Sequence, residues 1–258
     1  APLVNFLGAL LVELLNLVVQ FVIGHVHPYH GMVPDGTSTN GVTMEKLQKE
    51  LRDANQKISL VEDRSQYIRH LSQPTLANRP TFVASGINSL PCIRFNGIDQ
   101  FLLMADPTLS WLNASSFTIF YVATKTAQLS NSFVLGGTAA GTRANLASGY
   151  TAVNTHRIVF GGDDASTIVP IKTAGQPELY TISFNATTLE RRVKRNGTTV
   201  GLGSSSGSLA GMTGQAVGRY LTTYGQFDLG ELIIYNRTLS DYETGQVERD
   251  LISKWTIS

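Results

Sequence analysis

From about residue 79 to the C-terminus, the chain breaks into short runs of β-branched, aromatic and aliphatic residues separated by turns rich in glycine and asparagine. The runs fall at 81–83, 92–95, 101–104, 117–123, 133–135, 157–160, 180–184, 191–194 and 232–235. Strands this short and this numerous cannot each bury a face alone, so roughly ten of them imply two stacked sheets, a β-sandwich. Asn196-Gly197, between 191–195 and 198–201, is a two-residue hairpin signal, because both central residues of the favoured turn need positive φ. The chain then closes with a helix. Ser240 and Glu243 in Ser-Asp-Tyr-Glu form a capping box, and Val247, Leu251 and Trp255 recur at i, i+4 and i+8 as one buried face.

A chain of 258 residues accommodates one large domain, or one domain with appendages. Only 15 % of residues are charged and 24 are glycine, which suits a β-rich body with many turns. The net charge of +1 gives no field for nucleic acid. A single cysteine, Cys92, excludes an intrachain disulfide framework; within the apolar run 91–95 it is expected to be a small buried hydrophobe.

The N-terminal part has a different texture. Residues 1–43 contain no Lys or Arg, and 3–23 is almost wholly apolar. Leu3, Leu7, Leu10, Leu14, Leu17 and Phe21 repeat every four or three residues, while Asn5, Glu13, Asn16 and Gln20 cluster with Ala9 on a narrow opposite face. The spacing predicts an apolar anchoring helix over 1–24. Glu13, with no flanking cation, favours burial in a protein assembly over lipid; the missing basic n-region argues against a signal peptide. Residues 25–43 form a His/Gly-rich loop. Beyond it, Met44, Leu47, Leu51, Ala54, Ile58, Val61, Ser65 and Ile68 keep an unbroken 3–4 rhythm among polar neighbours. That seam predicts a coiled-coil stalk over 44–73, with Thr43 as N-cap, a stop at Gln73-Pro74 and a head over 74–258.

The segments NRPTFVASGINSLPCIRFNGIDQFL at 78–102, FTIFYVAT at 117–124, VGRY at 217–220 and FDLGELIIYNRTLSDYETGQVERDLISKW at 227–255 resemble the concanavalin A-like, laminin-G-like jelly-roll domains of bacterial surface and phage proteins. The resemblance covers about 79–257 and implies a mainly β jelly-roll head that is non-catalytic and binds glycans. One departure is that the place of the family's first strand is held here by YIRHLSQPTLANRP, so that strand is expected to be lost or supplied by a neighbouring subunit. Tyr150, Tyr220 and Tyr224, near glycine-rich turns, are the candidate glycan contacts; each is equally suited to the core. Glycoside hydrolysis needs two carboxylates across a cleft, and Asp228 and Glu231, three apart on one strand, are expected on opposite faces. Asp163-Asp164 suits a solvated turn better than a calcium site.

His25, His27 and His30 lie within six residues in GHVHPYHG. An extended His-x-His places both rings on one side, and three copies around an axis would offer six imidazole nitrogens, a set suited to one Fe, Ni or Zn per trimer. The motif is similar to the His-x-His of trimeric phage spike and tail-fibre proteins. The architecture expected from the sequence is therefore a homotrimer: anchoring helix, stalk and lectin-like head, in a phage virion structural protein that joins other virion proteins through 1–24 and touches host glycan. A membrane-anchored bacterial surface lectin is the second reading and a glycoside hydrolase the third.

Overall fold

The computed structural model describes residues 18–22, 56–63, 65, 67–126, 131–139, 141, 143–152, 155–160 and 174–258. Its strands, in chain order, are β1 (Val18–Val22), β2 (Leu60–Val61), β3 (Leu71–Ser72), β4 (Thr81–Ile87), β5 (Leu90–Asn96), β6 (Leu102–Met104), β7 (Phe117–Lys125), β8 (Ser132–Gly136), β9 (Ala147–Ala152), β10 (Thr155–Val159), β11 (Pro177–Phe184), β12 (Glu190–Arg195), β13 (Thr198–Ser204), β14 (Ala216–Val217), β15 (Arg219–Tyr220), β16 (Thr223–Tyr224) and β17 (Gln226–Tyr235). One sheet runs β13-β12-β11-β7-β17-β5-β4, with β1 also on β17; the other runs β10-β9-β8-β14-β6-β3-β2. β15 and β16 make a separate ribbon. Non-sequential neighbours are the rule: β17 lies between β7 and β5, and β14 between β8 and β6, so strands from the last third of the chain insert between strands of the middle third in both layers. The mainly β sandwich expected from the sequence is what forms.

Alternation decides which residues meet between the layers. Phe95, Phe117, Ile119, Tyr121, Phe184, Phe227 and Ile234 point inward from the first sheet, against Leu102, Val134, Tyr150 and Ile158 of the second. Phe95 stacks on Phe227 at 4.7 Å between ring centres. The predicted Asn196-Gly197 turn joins β12 to β13 with φ of 48° and 79°.

The outer face of the first sheet is covered by the helix α1 (Asp241–Lys254). Both halves of its capping box are made, Ser240 accepting from the Glu243 amide and Glu243 from the Ser240 amide. Val247, Leu251 and Trp255 are buried against Phe120, Val122 and Ile233. Trp255 is fully enclosed; burial of an indole of this size contributes about 5 kcal/mol. Its ring lies on Gly230, where a Cβ would stand 2.7 Å from the indole. The register slips at that glycine: Leu229 faces Ala123, yet Glu231 faces Val122. This β-bulge resets the alternation, so Asp228 and Glu231 share the outer face, contrary to the sequence expectation. Glu231 accepts from Trp255 Nε1 (2.9 Å) and Lys254 Nζ (2.8 Å).

The stalk reading fails over residues 56–63 and at Ile68. Gln56 and Ile68 have positive φ, Ile58 is buried in the sandwich core, and Val61 pairs with Leu71 in the β2–β3 ladder. A 3–4 apolar spacing also serves an extended segment whose ends turn, and the open edge of the second sheet offers partners that an isolated helix lacks. These residues belong to the head, and β2 and β3 occupy the place where the first strand was expected to be missing. Met44, Leu47, Leu51 and Ala54 lie outside the described residues. The apolar N-terminal segment is not helical over 18–22: β1, which includes Phe21, pairs with β17 from Val18 opposite Tyr235 to Val22 opposite Glu231. It continues the edge that β5 occupies up to Leu229, and the β-branched composition of VVQFV suits that pairing. Leu3, Leu7, Leu10, Leu14 and Leu17 lie outside the described residues. No helix among the described residues is long and apolar enough to cross a membrane.

Candidate functional site

Beside the C-terminal end of α1, the outer face of the first sheet holds a groove of about 890 Å³. One row of ladder positions crosses its floor: Thr81 opposite Arg94, Arg94 opposite Asp228, and Asp228 opposite Thr124. The next row adds Asn96 opposite Gln226. Directly opposed strand residues on one face come within side-chain reach, and here they form a bidentate ion pair: Arg94 donates from Nε to Oδ1 and from Nη2 to Oδ2 of Asp228, both at 2.7 Å. The Asp228 side chain is 6 % exposed and that of Arg94 49 %, so the carboxylate lies beneath the guanidinium and the guanidinium faces the groove. Hydrogen bonding to Asp228 holds the Arg94 pKa above its ordinary value.

The walls come from two turns. Asn88 and Ser89, with φ of 47° and 65°, close the β4–β5 hairpin in the doubly left-handed geometry of a two-residue turn. The Asn88 amide nitrogen donates to the Trp255 carbonyl at 2.6 Å, which ties this wall to the end of α1. On the other side, Asn96 Oδ1 accepts from the amides of Ile98, Asp99 and Gln100, and Gln100 Oε1 accepts from the Asn96 amide. Beneath the floor, Cys92 is fully buried; desolvation, then the charge of Asp228, pushes its thiol up to about 12. A thiol kept protonated in this way is not a nucleophile.

The three candidate tyrosines separate. Tyr150 is fully buried between the sheets, its ring 5.6 Å from His156, and is excluded as a ligand contact. It stands two positions from Ser148 on β9, so the strand alternation that points Ser148 inward points Tyr150 inward too. Around it, Tyr121 is hydrogen-bonded to Ser148 (2.7 Å) and His156, and His156 stacks on Tyr180 at 3.8 Å. Tyr220 and Tyr224 are brought together in the β15–β16 ribbon, both half-buried. Tyr220 packs on Phe133 at 4.4 Å; Tyr224 is 6.0 Å from Phe101, over which Arg219 lies at 4.2 Å.

His25, His27 and Asp163-Asp164 lie outside the described residues. Among the described residues, no cluster of three or more His, Cys, Asp or Glu side chains could hold a metal ion. Asp228 and Glu231 share a face without forming a catalytic pair, since each is held by its own cation. Sequence reasoning missed Arg94, Thr124 and Gln226 as site residues. The available signal was a lone Arg in PCIRFN and a lone Asp in QFDL, opposite charges that apolar strands tolerate when paired.

No family model matches the chain, and no curated protein sequence matches it. Solved structures do. Trypanosoma rangeli sialidase in complex with 2,3-difluoro-KDN is similar at 16 % identity and a TM-score of 0.55, over 78 % of this chain and 32 % of that one. The binding domain of Paraclostridial Mosquitocidal Protein 1 is similar at 14 % identity and 0.55, over 74 % and 50 %. Domain 4 of AbnA, a GH43 extracellular arabinanase from Geobacillus stearothermophilus, in complex with arabinotriose, is similar at 15 % identity and 0.50, over 66 % and 81 %. The chain spans about a third of the sialidase and half of the mosquitocidal domain's chain. At these identities the likeness establishes a shared sandwich fold.

Proposed function

We propose that the chain is a non-catalytic, glycan-binding head of a phage virion fibre. The observation that carries glycan binding is the groove, whose lining combines the Arg94–Asp228 pair with the amides of Asn96, Gln100 and Gln226 and the hydroxyl of Thr124. Its volume lies within the range of small-ligand sites, and a few convergent polar groups on a rigid sheet are what orient a sugar. A domain of the same sandwich type was solved with arabinotriose and another is described as a binding domain, which supports the reading. Outside the groove, Tyr220 and Tyr224 in the β15–β16 ribbon offer aromatic surface of the kind that stacks on sugar rings. Against hydrolysis, Asp228 is the single carboxylate among the described residues of the groove lining, and acid–base cleavage needs two.

The virion role rests on the N-terminal sequence: an apolar segment over 1–24, in which 18–22 pairs with β17 and 1–17 is left to join other virion proteins, and chains that trimerise through the seam at Met44, Leu47, Leu51 and Ala54. A glycan array probed with the folded protein tests the first part, with binding of defined sugars expected and turnover of none. Co-purification with assembled particles, lost when 1–17 is deleted and β1 is left in place, tests the second. A flat array response, or robust polysaccharide cleavage, overturns the binding-head reading.

A further inference from the structure

Building on the glycan-binding reading, we infer that the Arg94–Asp228 groove takes a neutral saccharide, held through adjacent hydroxyls, and rejects uronic and sialic acids. Charge is the first argument. Among the described residues, the groove lining contains one cation and one anion, and each is the other's partner in a bidentate pair. Asp228 is nearly sealed and cannot swing away. A sugar carboxylate brought to Arg94 therefore meets a guanidinium whose charge is already matched and an anion directly beneath it. It would lose its hydration without gaining a net positive partner.

Hydrogen-bond balance is the second. Arg94 has five N–H donors and commits two to Asp228, leaving three on its groove side. Thr124 is 5 % exposed, lines the groove, and its Oγ1 has no hydrogen-bond partner. Gln100 commits its carbonyl oxygen to the Asn96 amide, while Asn88 commits its nitrogen to the Trp255 carbonyl. The lining thus offers donors at Arg94, Thr124 and Gln100, and an acceptor at the Asn88 side-chain oxygen, while both oxygens of Asp228 are taken by Arg94. A pair of neighbouring hydroxyls, each both donor and acceptor, satisfies such a mixed set. A carboxylate only accepts, so it would leave the Asn88 oxygen facing an acceptor and would gain nothing from Asp228 below.

The third argument is what the lining lacks. Its one aromatic among the described residues, Phe95, is fully buried and stacked on Phe227, so no ring in the groove can cover the flat face of a pyranose. Recognition in the groove is therefore by hydroxyl edges.

The test is calorimetric titration of the protein with neutral oligosaccharides drawn from an array and with matched oligosaccharides ending in a uronate or sialate, each at low and high ionic strength. Neutral probes are expected to bind, with affinity insensitive to salt, at least about tenfold more tightly than acidic ones. Asp228→Asn keeps the shape and frees the Arg94 charge; it should move the selectivity towards acidic probes by about tenfold and make their binding salt-sensitive. Gln226→Ala, at a half-buried lining position, should weaken neutral binding while leaving the melting temperature unchanged. The wild-type comparison of neutral with acidic probes, the salt series and Gln226→Ala decide the matter even if Asp228→Asn fails to fold. Wild-type preference for acidic probes, dependent on Arg94 and weakened by salt, overturns the inference and leaves the glycan-binding reading standing. No binding of either class by folded protein overturns both.

Discussion

His156 gives the sandwich a measurable acid sensitivity. Its imidazole is fully enclosed between Tyr121, Ser148, Tyr150 and Tyr180, and desolvation, with a smaller push from the Arg195 charge, lowers its pKa from 6.5 to about 3. In the unfolded chain the ring takes up a proton near pH 6.5; in the folded chain it does not until about pH 3. The unfolded state therefore binds more protons between those values. The stabilisation is complete above pH 6.5 and is lost progressively as pH falls towards 3. From pH 7.5 to 5 the loss from this one group comes to about 2 kcal/mol, at up to about 1.4 kcal/mol per pH unit. Glu243, which the Arg237 hydrogen bond lowers to about 2, adds its own loss only below about pH 4.5, so the upper window belongs to His156. Urea denaturation at half-unit pH steps, at constant m, measures the slope. His156→Phe retains the stack on Tyr180 and leaves Tyr121 its Ser148 partner at 2.7 Å. It should cost about 1 kcal/mol at pH 7.5 for the lost hydrogen bond and flatten the profile between pH 7.5 and 5. A wild-type profile already flat in that window, or an equal slope in His156→Phe, would refute the reasoning.

Other perturbations probe other layers. Gly230→Ala places a methyl 2.7 Å from the Trp255 indole, which Glu231 pins; thermal melts should fall by about 5–10 °C, from about 2–3 kcal/mol of overpacking, and an unchanged melt would mean that the bulge can open. Ser240→Ala removes the cap on the Glu243 amide and should lower stability by about 1 kcal/mol in chemical denaturation, with glycan binding unaltered. For the N-terminal segment, elemental analysis of purified protein should find Fe, Ni or Zn near one-third of an equivalent per chain, abolished by replacing His25 and His27 with Ala; a metal-free trimer would make these ordinary loop histidines. Light scattering should give a trimer that Leu51→Glu dissociates, and a stable wild-type monomer would end the stalk proposal.

What the sequence exposed was whatever is set by neighbours along the chain. The Asn196-Gly197 turn, the Ser240–Glu243 box and the Val247–Leu251–Trp255 face each depend on a few consecutive residues, and each forms as expected. The segment at 56–68 depends instead on what lies opposite it. Its apolar residues at 58 and 61 fit a helix seam by spacing, yet the backbone at Ile58 bonds to Pro80 beside β4, and Val61 pairs with Leu71 at the edge of the second sheet. The site was hidden for the same reason: Arg94 and Asp228 are 134 residues apart and meet only because β17 inserts beside β5. Tyr150 and Tyr224 sit in similar local contexts near glycines; strand phase alone sends one into the core and leaves the other half-exposed in the ribbon.

Gly230 shows how one backbone irregularity fixes which chemistry faces where. Leu229 and Leu232 both point into the core, three residues apart, which regular alternation forbids. Had β17 run unbroken from Leu229, Glu231 and Ile233 would point inward and Leu232 and Ile234 outward. That strand would move a carboxylate in among Tyr121, Phe227 and Leu229, away from Lys254 and the Trp255 indole that now hold it, a cost of several kcal/mol. The bulge moves Glu231 to the outer face, where Lys254 and the Trp255 indole meet it, and returns Ile233 to the helix side. Bulging at a residue with no side chain also leaves the space that Trp255 fills. Trp255 in turn presents the carbonyl that holds Asn88, the wall of the groove. The glycine therefore divides β17 into a half that carries Asp228 to the groove and a half that seats the helix, and the groove keeps its shape because the helix cannot shift without unseating Trp255 from that glycine.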